Sequence, residues 1–365
     1  MGMTTALSET AGWTRRDFCC SVVALMGTQA VKVREVGPRG NFGIAMGSFQ
    51  IRTRQLTQAT GSDLTTGIVA EKFIDLCKSF GGDGCQMDIS QLASRDNAYL
   101  KKIRQSLEEK AMFLVLSLGS QLFEDLSQLG SAVATARDLG VSCLRLSLEG
   151  RRTEEFPNPQ QWQEFSDRWL KRLQQAEPLF RESKLQLGVE NHRDWMADEL
   201  VEVLRKVSSP HIGASVDFSS NLALLEDPVE VVQKLAPYAV TSQLNDAALG
   251  QAEEGFLLAD VPLGQGILPL AKLMELLRRS RSDINFCLEM ITRDPVKVNY
   301  LDDSFWASLG KRDTLRIDKF KAGYLSKATA KPFPKVSGMT SNRMLAVEED
   351  NIRRSVAYAR RTLGL

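Results

Sequence analysis

From residue 41 onward, short and mostly apolar runs alternate with longer stretches whose apolar positions recur at i, i+3, i+4 and i+7. The short runs read as strands and the long ones as amphipathic helices. Eight strands are predicted, over residues 41–49, 84–89, 112–118, 143–148, 185–190, 212–218, 239–246 and 284–290. Between them lie helical patterns such as TTGIVAEKFIDLCKSFG and LPLAKLMELLRRSR. Strand-helix alternation of this kind implies a parallel sheet.

Two α/β architectures compete for such a pattern. Eight βα units in about 250 residues match a (β/α)8 TIM barrel. An open doubly wound sheet is the competitor, but no Gly-x-Gly-x-x-Gly follows the first strand. Side-chain alternation favours the barrel. In the fifth strand Leu185, Leu187 and Val189 share one face, and Gln186, Gly188 and Glu190 share the other. The sixth sets Ala214, Val216 and Phe218 against Gly213, Ser215 and Asp217; the eighth sets Phe286, Leu288 and Met290 against Asn285, Cys287 and Glu289. Large apolar residues would meet the helices, while the small and polar face would line an interior that turns polar toward the C-terminal mouth.

Beyond residue 298 the pattern changes. Residues 324–342 are rich in Lys, Ser, Thr and Pro and read as a connecting loop. A last amphipathic helix follows from residue 343 and is expected to pack on the barrel or on a second copy of the chain in a homo-oligomer. The expected organisation is an export segment over 1–30, a barrel over 41–300 and a C-terminal helical extension over 301–365.

Composition narrows the function classes. The 365 residues carry 46 Lys+Arg against 45 Asp+Glu, with no basic stripe interleaved with aromatics, so nucleic acid is not an expected partner. Cys77, Cys85, Cys143 and Cys287 sit singly in apolar runs, without a Cys-x-x-Cys, and read as buried core thiols. At the N-terminus, Arg15 and Arg16 precede an apolar run too short to span a bilayer, with a candidate cleavage site at Thr28-Gln29-Ala30. That stretch resembles the twin-arginine signal of proteins exported folded to the bacterial periplasm; the alternative is a frayed tail on a cytoplasmic protein. No second long apolar segment occurs, so no membrane span is expected in the mature protein.

Candidate chemistry gathers at strand ends. Glu190, Asp217, Gln243 and Glu289 lie at or near the ends of four consecutive strands, which are neighbours in a barrel. Three of the four are anionic and would repel one another in a pocket of low dielectric, which a divalent cation would relieve. Oxygen donors without cysteine suit Mg²⁺ or Mn²⁺, with Co²⁺ or Zn²⁺ as alternatives. Around them, His192 in the loop above the fifth strand could donate to a substrate hydroxyl, and Arg145 on the interior of the fourth needs a carboxylate or ligand partner. Gln86 and Asp88 on the interior of the second strand are candidate substrate-hydroxyl partners, Asp88 alternatively neutralising Arg145. Trp195 is a candidate stacking platform or a packing residue, and His211, at the bottom of the barrel, reads as structural. The segment AALGQAEEGFLLADVPLGQG after the seventh strand reads as a long loop ending in a flexible stretch, without a phosphate cradle.

The stretches LGVENHRDW, IGASVDFSSNLALLEDP, TSQLND, EGFLLADVPLGQG and FCLEMITRDP resemble the sugar phosphate isomerase/epimerase group, the xylose-isomerase-like TIM barrels. The resemblance runs over about residues 41 to 300. It implies one divalent metal held by Glu, Asp, His and Glu, which map to Glu190, Asp217, Gln243 and Glu289, and it implies that the two glutamates also carry protons to and from a sugar carbon. Gln243 stands where the group has histidine. What the resemblance implies is a carbohydrate isomerase or epimerase working through an enediolate, and, with no phosphate cradle in the chain, a neutral sugar or keto-sugar as its ligand; the alternatives are a keto-glycoside lyase using the same site, and a barrel that binds sugar without turnover.

Overall fold

The computed structural model describes residues 40–60, 68–141, 143–148, 150–333 and 335–365; the expected export segment, with Cys19 and Cys20, lies outside them. All eight expected strands form. They are β1 (Phe42–Ala45), β2 (Gly84–Asp88), β3 (Phe113–Leu118), β4 (Cys143–Leu146), β5 (Gln186–Glu190), β6 (Ile212–Asp217), β7 (Ala239–Leu244) and, after two further strands, β10 (Phe286–Leu288). All neighbours are parallel, and the ring closes where β1 pairs with both β2 and β10, Gly43 lying opposite Gly84 and Cys287. The protein is a TIM barrel.

The alternation read from the sequence divides the strands as expected. Leu187, Val189, Ala214, Val216, Phe286 and Leu288 join the apolar layer beneath the helices. On the inner face a separate small cluster, Ala45, Val115, Cys143, Val240 and Cys287 with Phe113, fills the lower barrel. The Phe113 ring fits because the two strands beside it carry glycines. A Cβ at Gly43 would stand 2.7 Å from it and one at Gly84 2.4 Å. This plug leaves polar side chains only the upper half of the interior.

Helices follow the strands, and three of them start on side-chain caps that also fix their entry: Asp125 before 126–139, Asn158 before Pro159 and Asp227 before Pro228 each accept a first-turn N–H. The helix 126–139 ends on Gly140 at φ 76°, a left-handed conformation that glycine adopts without strain.

Two expectations need correction. The first strand stops at Ala45, and residues Met46–Phe49 form a 3-10 turn over the mouth. The segment read as a long loop after β7 is instead a hairpin of β8 (Asp246–Ala252) and β9 (Gly255–Val261), extended by β11 (Val296–Val298) into a three-stranded antiparallel sheet. The stretch VPLGQG that follows is tied down. The buried Asp246 carboxylate accepts backbone N–H bonds from Ala247, Gly264, Gly266 and Leu268 at 2.9–3.2 Å.

The chain leaves β10, crosses the mouth and returns in the helix Ser341–Arg361. This helix packs on the barrel between Ile51 at one end and Asp83 at the other. Arg360 bonds Asp83 and lies over the Phe42 ring, and Arg353 covers Phe80. It is thus the helix that follows the eighth strand, delayed by an excursion. Its anchor is Glu348, buried, whose two carboxylate oxygens accept from the backbone N–H groups of Ile51 at 2.6 Å and Arg52 at 3.1 Å. Replacing Glu348 by alanine orphans both donors and should lower stability by about 1–3 kcal/mol, read as a shifted urea midpoint; Glu348→Gln, which keeps one acceptor, should lose less.

Candidate active site at the barrel mouth

Backbone register sets the site before any side chain is considered. Glu190 ends β5 and lies opposite Ser215; Asp217 ends β6 opposite Gln243; Gln243 faces Cys287; and Glu289 prolongs β10 by donating its N–H to Leu244 O at 3.0 Å. All four point inward. The carboxylates of Glu190, Asp217 and Glu289 each offer an oxygen within 4.8 Å of the others, the first two residues being buried and the third partly exposed. Gly47 in the turn after β1 passes close above, where a Cβ would come within 2.8 Å of a Glu289 oxygen.

Each carboxylate is held differently. Glu190 Oε2 pairs with the Arg145 guanidinium. Burial raises the Glu190 pKa against the opposing charge and hydrogen bond of Arg145; Asp217 adds to the rise and the Gln243 amide opposes it. Asp217 Oδ1 accepts from the N–H groups of Ser219 and Ser220 at 2.8 and 2.6 Å, and Oδ2 accepts from Asn245 Nδ2 at 2.7 Å. Asn191, the residue after Glu190, bonds both the N–H and the carbonyl of Asp217 at 2.9 Å and so clamps β5 to β6. Burial pushes Glu289 up to about 8, with Arg145 opposing and Glu190, Asp217 and Asp260 reinforcing. Burial also works against the Arg145 charge, but Glu190, Glu289 and Asp217 outweigh it and hold the guanidinium above its ordinary range.

Gln243 is oriented from below. Its Nε2 donates to Gln86 Oε1 at 3.0 Å, Gln86 reaches Ser117 Oγ at 3.5 Å, and Arg145 Nη1 reaches the same hydroxyl at 3.4 Å. With its N–H side engaged, Gln243 keeps Oε1 as a buried acceptor without a hydrogen-bond partner, as does Glu190 at Oε1. Buried oxygens are rarely left so. Two such atoms, both on residues expected as ligands and beside a trio of carboxylates, fit a hard divalent cation.

The remaining candidates separate. Gln86 is buried in the interior relay. Asp88 does not neutralise Arg145, which Glu190 already engages; its carboxylate accepts from Ser90 N at 2.8 Å and caps the turn after β2. Trp195 is a correction. At 0% exposure, its indole N–H bonded to Ser166 Oγ at 2.9 Å and its ring edge-on to Trp162, it packs in the helix layer and presents no ring face to a ligand. His192 is half-buried above β5. Burial, reinforced by Arg145, Arg193, Arg151 and Arg293, holds its pKa down to about 3, so the imidazole is neutral near pH 7. His211 sits below β6 with Nδ1 at 3.0 Å from Leu185 O.

Sequence reasoning missed Asn245, Asp194 and the ion pair between Asp260 of β9 and Arg293, 2.7 Å apart. Asn245 could have been found, because it stands two positions beyond Gln243 and so shares its face. Asp260 and Arg293 lie in segments without a strand signal of their own. Asp194 accepts the N–H groups of His192 and Trp195 through Oδ1, keeps Oδ2 buried and without a partner, and is pushed up to about 8 by burial.

Known proteins resolve the family. Residues 74–307 match the family model described as a xylose isomerase-like TIM barrel. The chain belongs to that family. A 114-residue stretch, 31% of the chain, is 29% identical to the 3-oxo-isoapionate decarboxylase of Pectobacterium atrosepticum and spans 42% of that relative's length. Among solved structures, the fold is similar to D-psicose 3-epimerase with D-tagatose from Clostridium cellulolyticum H10, with TM-score 0.58, 11% identity, and 89% of this chain and 99% of that one covered. It is also similar to a xylose isomerase-like TIM barrel protein from Mycobacterium smegmatis in complex with magnesium, with TM-score 0.50, 15% identity, and 66% and 89% covered. At these identities the structural likeness is one of fold.

The Glu289 carboxyl yields a pH signature for protein kept in a chelator. Its folded pKa of about 8 exceeds the ordinary 4.5, so between these values the folded chain binds more protons than the unfolded one. The stability it contributes is complete below the lower value and lost as pH rises through the upper one. Asp194, also near 8, adds to this fall, and His192, near 3, opposes it below its ordinary 6.5; thermal midpoints in chelator should therefore fall less steeply across that window in Glu289→Gln than in wild type, and equal slopes would contradict a buried Glu289 carboxyl.

Proposed function

We propose that the protein is a divalent-metal-dependent isomerase or epimerase of a carbohydrate, with Glu190, Asp217, Gln243 and Glu289 as ligands. The observation that carries this reading is the trio of converging carboxylates with unpartnered oxygens on Glu190 and Gln243. Mg²⁺ or Mn²⁺ suits the all-oxygen set best. When bound, the cation supplies positive charge against the oxyanion of an enediolate. The chain's own groups handle the proton. Glu190, oriented by the Arg145 guanidinium, takes a proton from the carbon next to a carbonyl, and Glu289 on another strand returns one. Return to the opposite face of the same carbon is epimerisation; return to the neighbouring carbon is aldose-ketose isomerisation. His192, neutral, offers a hydrogen bond to a hydroxyl, as do Gln86 and Arg145 deeper in the barrel.

A second reading has support from the partial likeness to 3-oxo-isoapionate decarboxylase. Loss of CO2 from a 3-oxo sugar acid breaks a carbon-carbon bond and leaves its electron pair in an enediolate, so the same ligands serve and one glutamate need only donate a proton.

The test is solvent exchange. Mn²⁺-loaded protein incubated in D2O with a panel of ketoses should place deuterium in the recovered sugar, seen by NMR, and Glu190→Gln should slow this by about 100- to 10,000-fold. Full exchange in Glu190→Gln would remove Glu190 as the base. Metal bound without any exchange would favour a barrel that binds sugar without turnover.

The proposed workplace is the periplasm, on the strength of Arg15 and Arg16 before the apolar run. A reporter fused after residue 40 should be exported in bacteria with an intact twin-arginine pathway and retained when both arginines are changed to lysine; export of the lysine form would refute the signal.

A further inference from the structure

Beside the carboxylate trio lies a second charged cluster to which the proton chemistry assigns no role. Arg193 follows His192 and has a side chain only 7% exposed. Its backbone takes φ 60°, a left-handed conformation uncommon for a side-chain-bearing residue. Its electrostatic surroundings are mixed: Arg151 and Arg293 repel it, Glu154 and Asp260 attract it.

Neither carboxylate is its own. Glu154 lies 3.3 Å from Arg151 and 3.6 Å from Arg193, and Asp260 is taken by Arg293 at 2.7 Å. Among the described residues, three guanidiniums thus share two carboxylates and one positive charge is left over. Arg151 and Glu154 are about half exposed and hydrated, whereas Arg193 is nearly buried and its one ion pair, at 3.6 Å, is shared, so Arg193 carries the charge that an anion would complete.

The cluster borders the proposed metal site. Asp260 is within electrostatic reach of Asp217 and Glu289 on one side and of Arg193 on the other. Arg193 also lines a cavity of about 110 Å³ with Thr153, Glu154, Asn299 and Ser304, while the exposed Lys297 stands at its rim. A carboxylate needs a space of that order and two or three donors, which a guanidinium fork, an amide and a hydroxyl supply.

Charge selects among anions. With a divalent cation bound, the trio and Arg145 sum to zero, so the surplus in the buried part of the cluster is the single charge at Arg193, Lys297 at the rim being exposed and hydrated. We infer that the substrate bears one carboxylate, a keto-sugar acid, held at Arg193 beside the metal site. This replaces the neutral sugar expected from the sequence, and it rests on the proposed metal-dependent reading of the mouth. A phosphate dianion would overshoot the available charge.

The experiment uses full-length Mn²⁺-loaded protein and three ketoses differing at one position: D-fructose, D-fructuronate and D-fructose 6-phosphate. Calorimetry should show the uronate binding at least about tenfold tighter than fructose, a difference of about 1.4 kcal/mol, and tighter than the phosphate. The preference should shrink as salt is raised, disappear in Arg193→Leu, persist in part in Arg193→Lys and be untouched in Arg354→Leu on the far helix. Equal binding of uronate and fructose, no binding of the uronate, stronger binding of the phosphate, or an unchanged preference in Arg193→Leu each overturns the inference. Deuterium exchange on the same samples separates the two proposals: a bound uronate that exchanges nothing leaves the anion subsite standing and removes the isomerase, whereas exchange in fructose without uronate preference does the reverse.

Discussion

Three carboxylates on one rim of a barrel, each with an oxygen within 4.8 Å of the others, form the constraint around which the mouth is built. Two like charges about 4 Å apart repel by about 4 kcal/mol at the effective dielectric of a protein surface, and burial removes the water that would soften this. The surrounding side chains divide the problem. Arg145 takes one Glu190 oxygen, backbone N–H groups and Asn245 take both oxygens of Asp217, and Glu289 tends to keep its proton. What these partners leave bare is as informative as what they cover, because the uncovered oxygens of Glu190 and Gln243 are those a cation would need.

Much of this could be read from the chain alone, for a physical reason. A strand buried on one face and polar on the other must alternate, so Glu190, Asp217, Gln243 and Glu289 could be assigned to the interior by parity. The outcome was otherwise where a segment owes its conformation to distant partners. The hairpin at 246–261 is rich in Ala, Gly and Glu and has little strand character of its own; it forms because β11 pairs along β9 and Asp246 gathers the N–H groups beyond it. Trp195 shows the complementary limit. Its place three residues beyond His192 suggested the mouth, but the chain turns there, and the ring goes under the helices to Trp162 and Ser166.

The glutamine at 243 is less anomalous in its setting than in the sequence. A histidine would offer one nitrogen, aimed by whatever holds the other. Here Gln86 plays the aiming role through the amide N–H, and the donor presented upward becomes an oxygen. The exchange softens nothing else in the site, since Gln86 in turn rests on Ser117 and, through it, on the Arg145 that pairs with Glu190. Gln86, Ser117, Arg145 and Gln243 therefore behave as one polar layer resting on the Phe113 plug.

The delayed eighth helix has a consequence for how such a chain reaches its native state. Residues near 42 find their second partner only near 286, and the groove they share is covered only by residues beyond 340. Until those residues leave the ribosome, the nascent sheet has two raw edges, each a template for pairing with another chain. Synthesis outlasts every local folding event by orders of magnitude, so those edges stay uncovered until the segment carrying Glu348, whose carboxylate holds the N–H groups of Ile51 and Arg52, has been made.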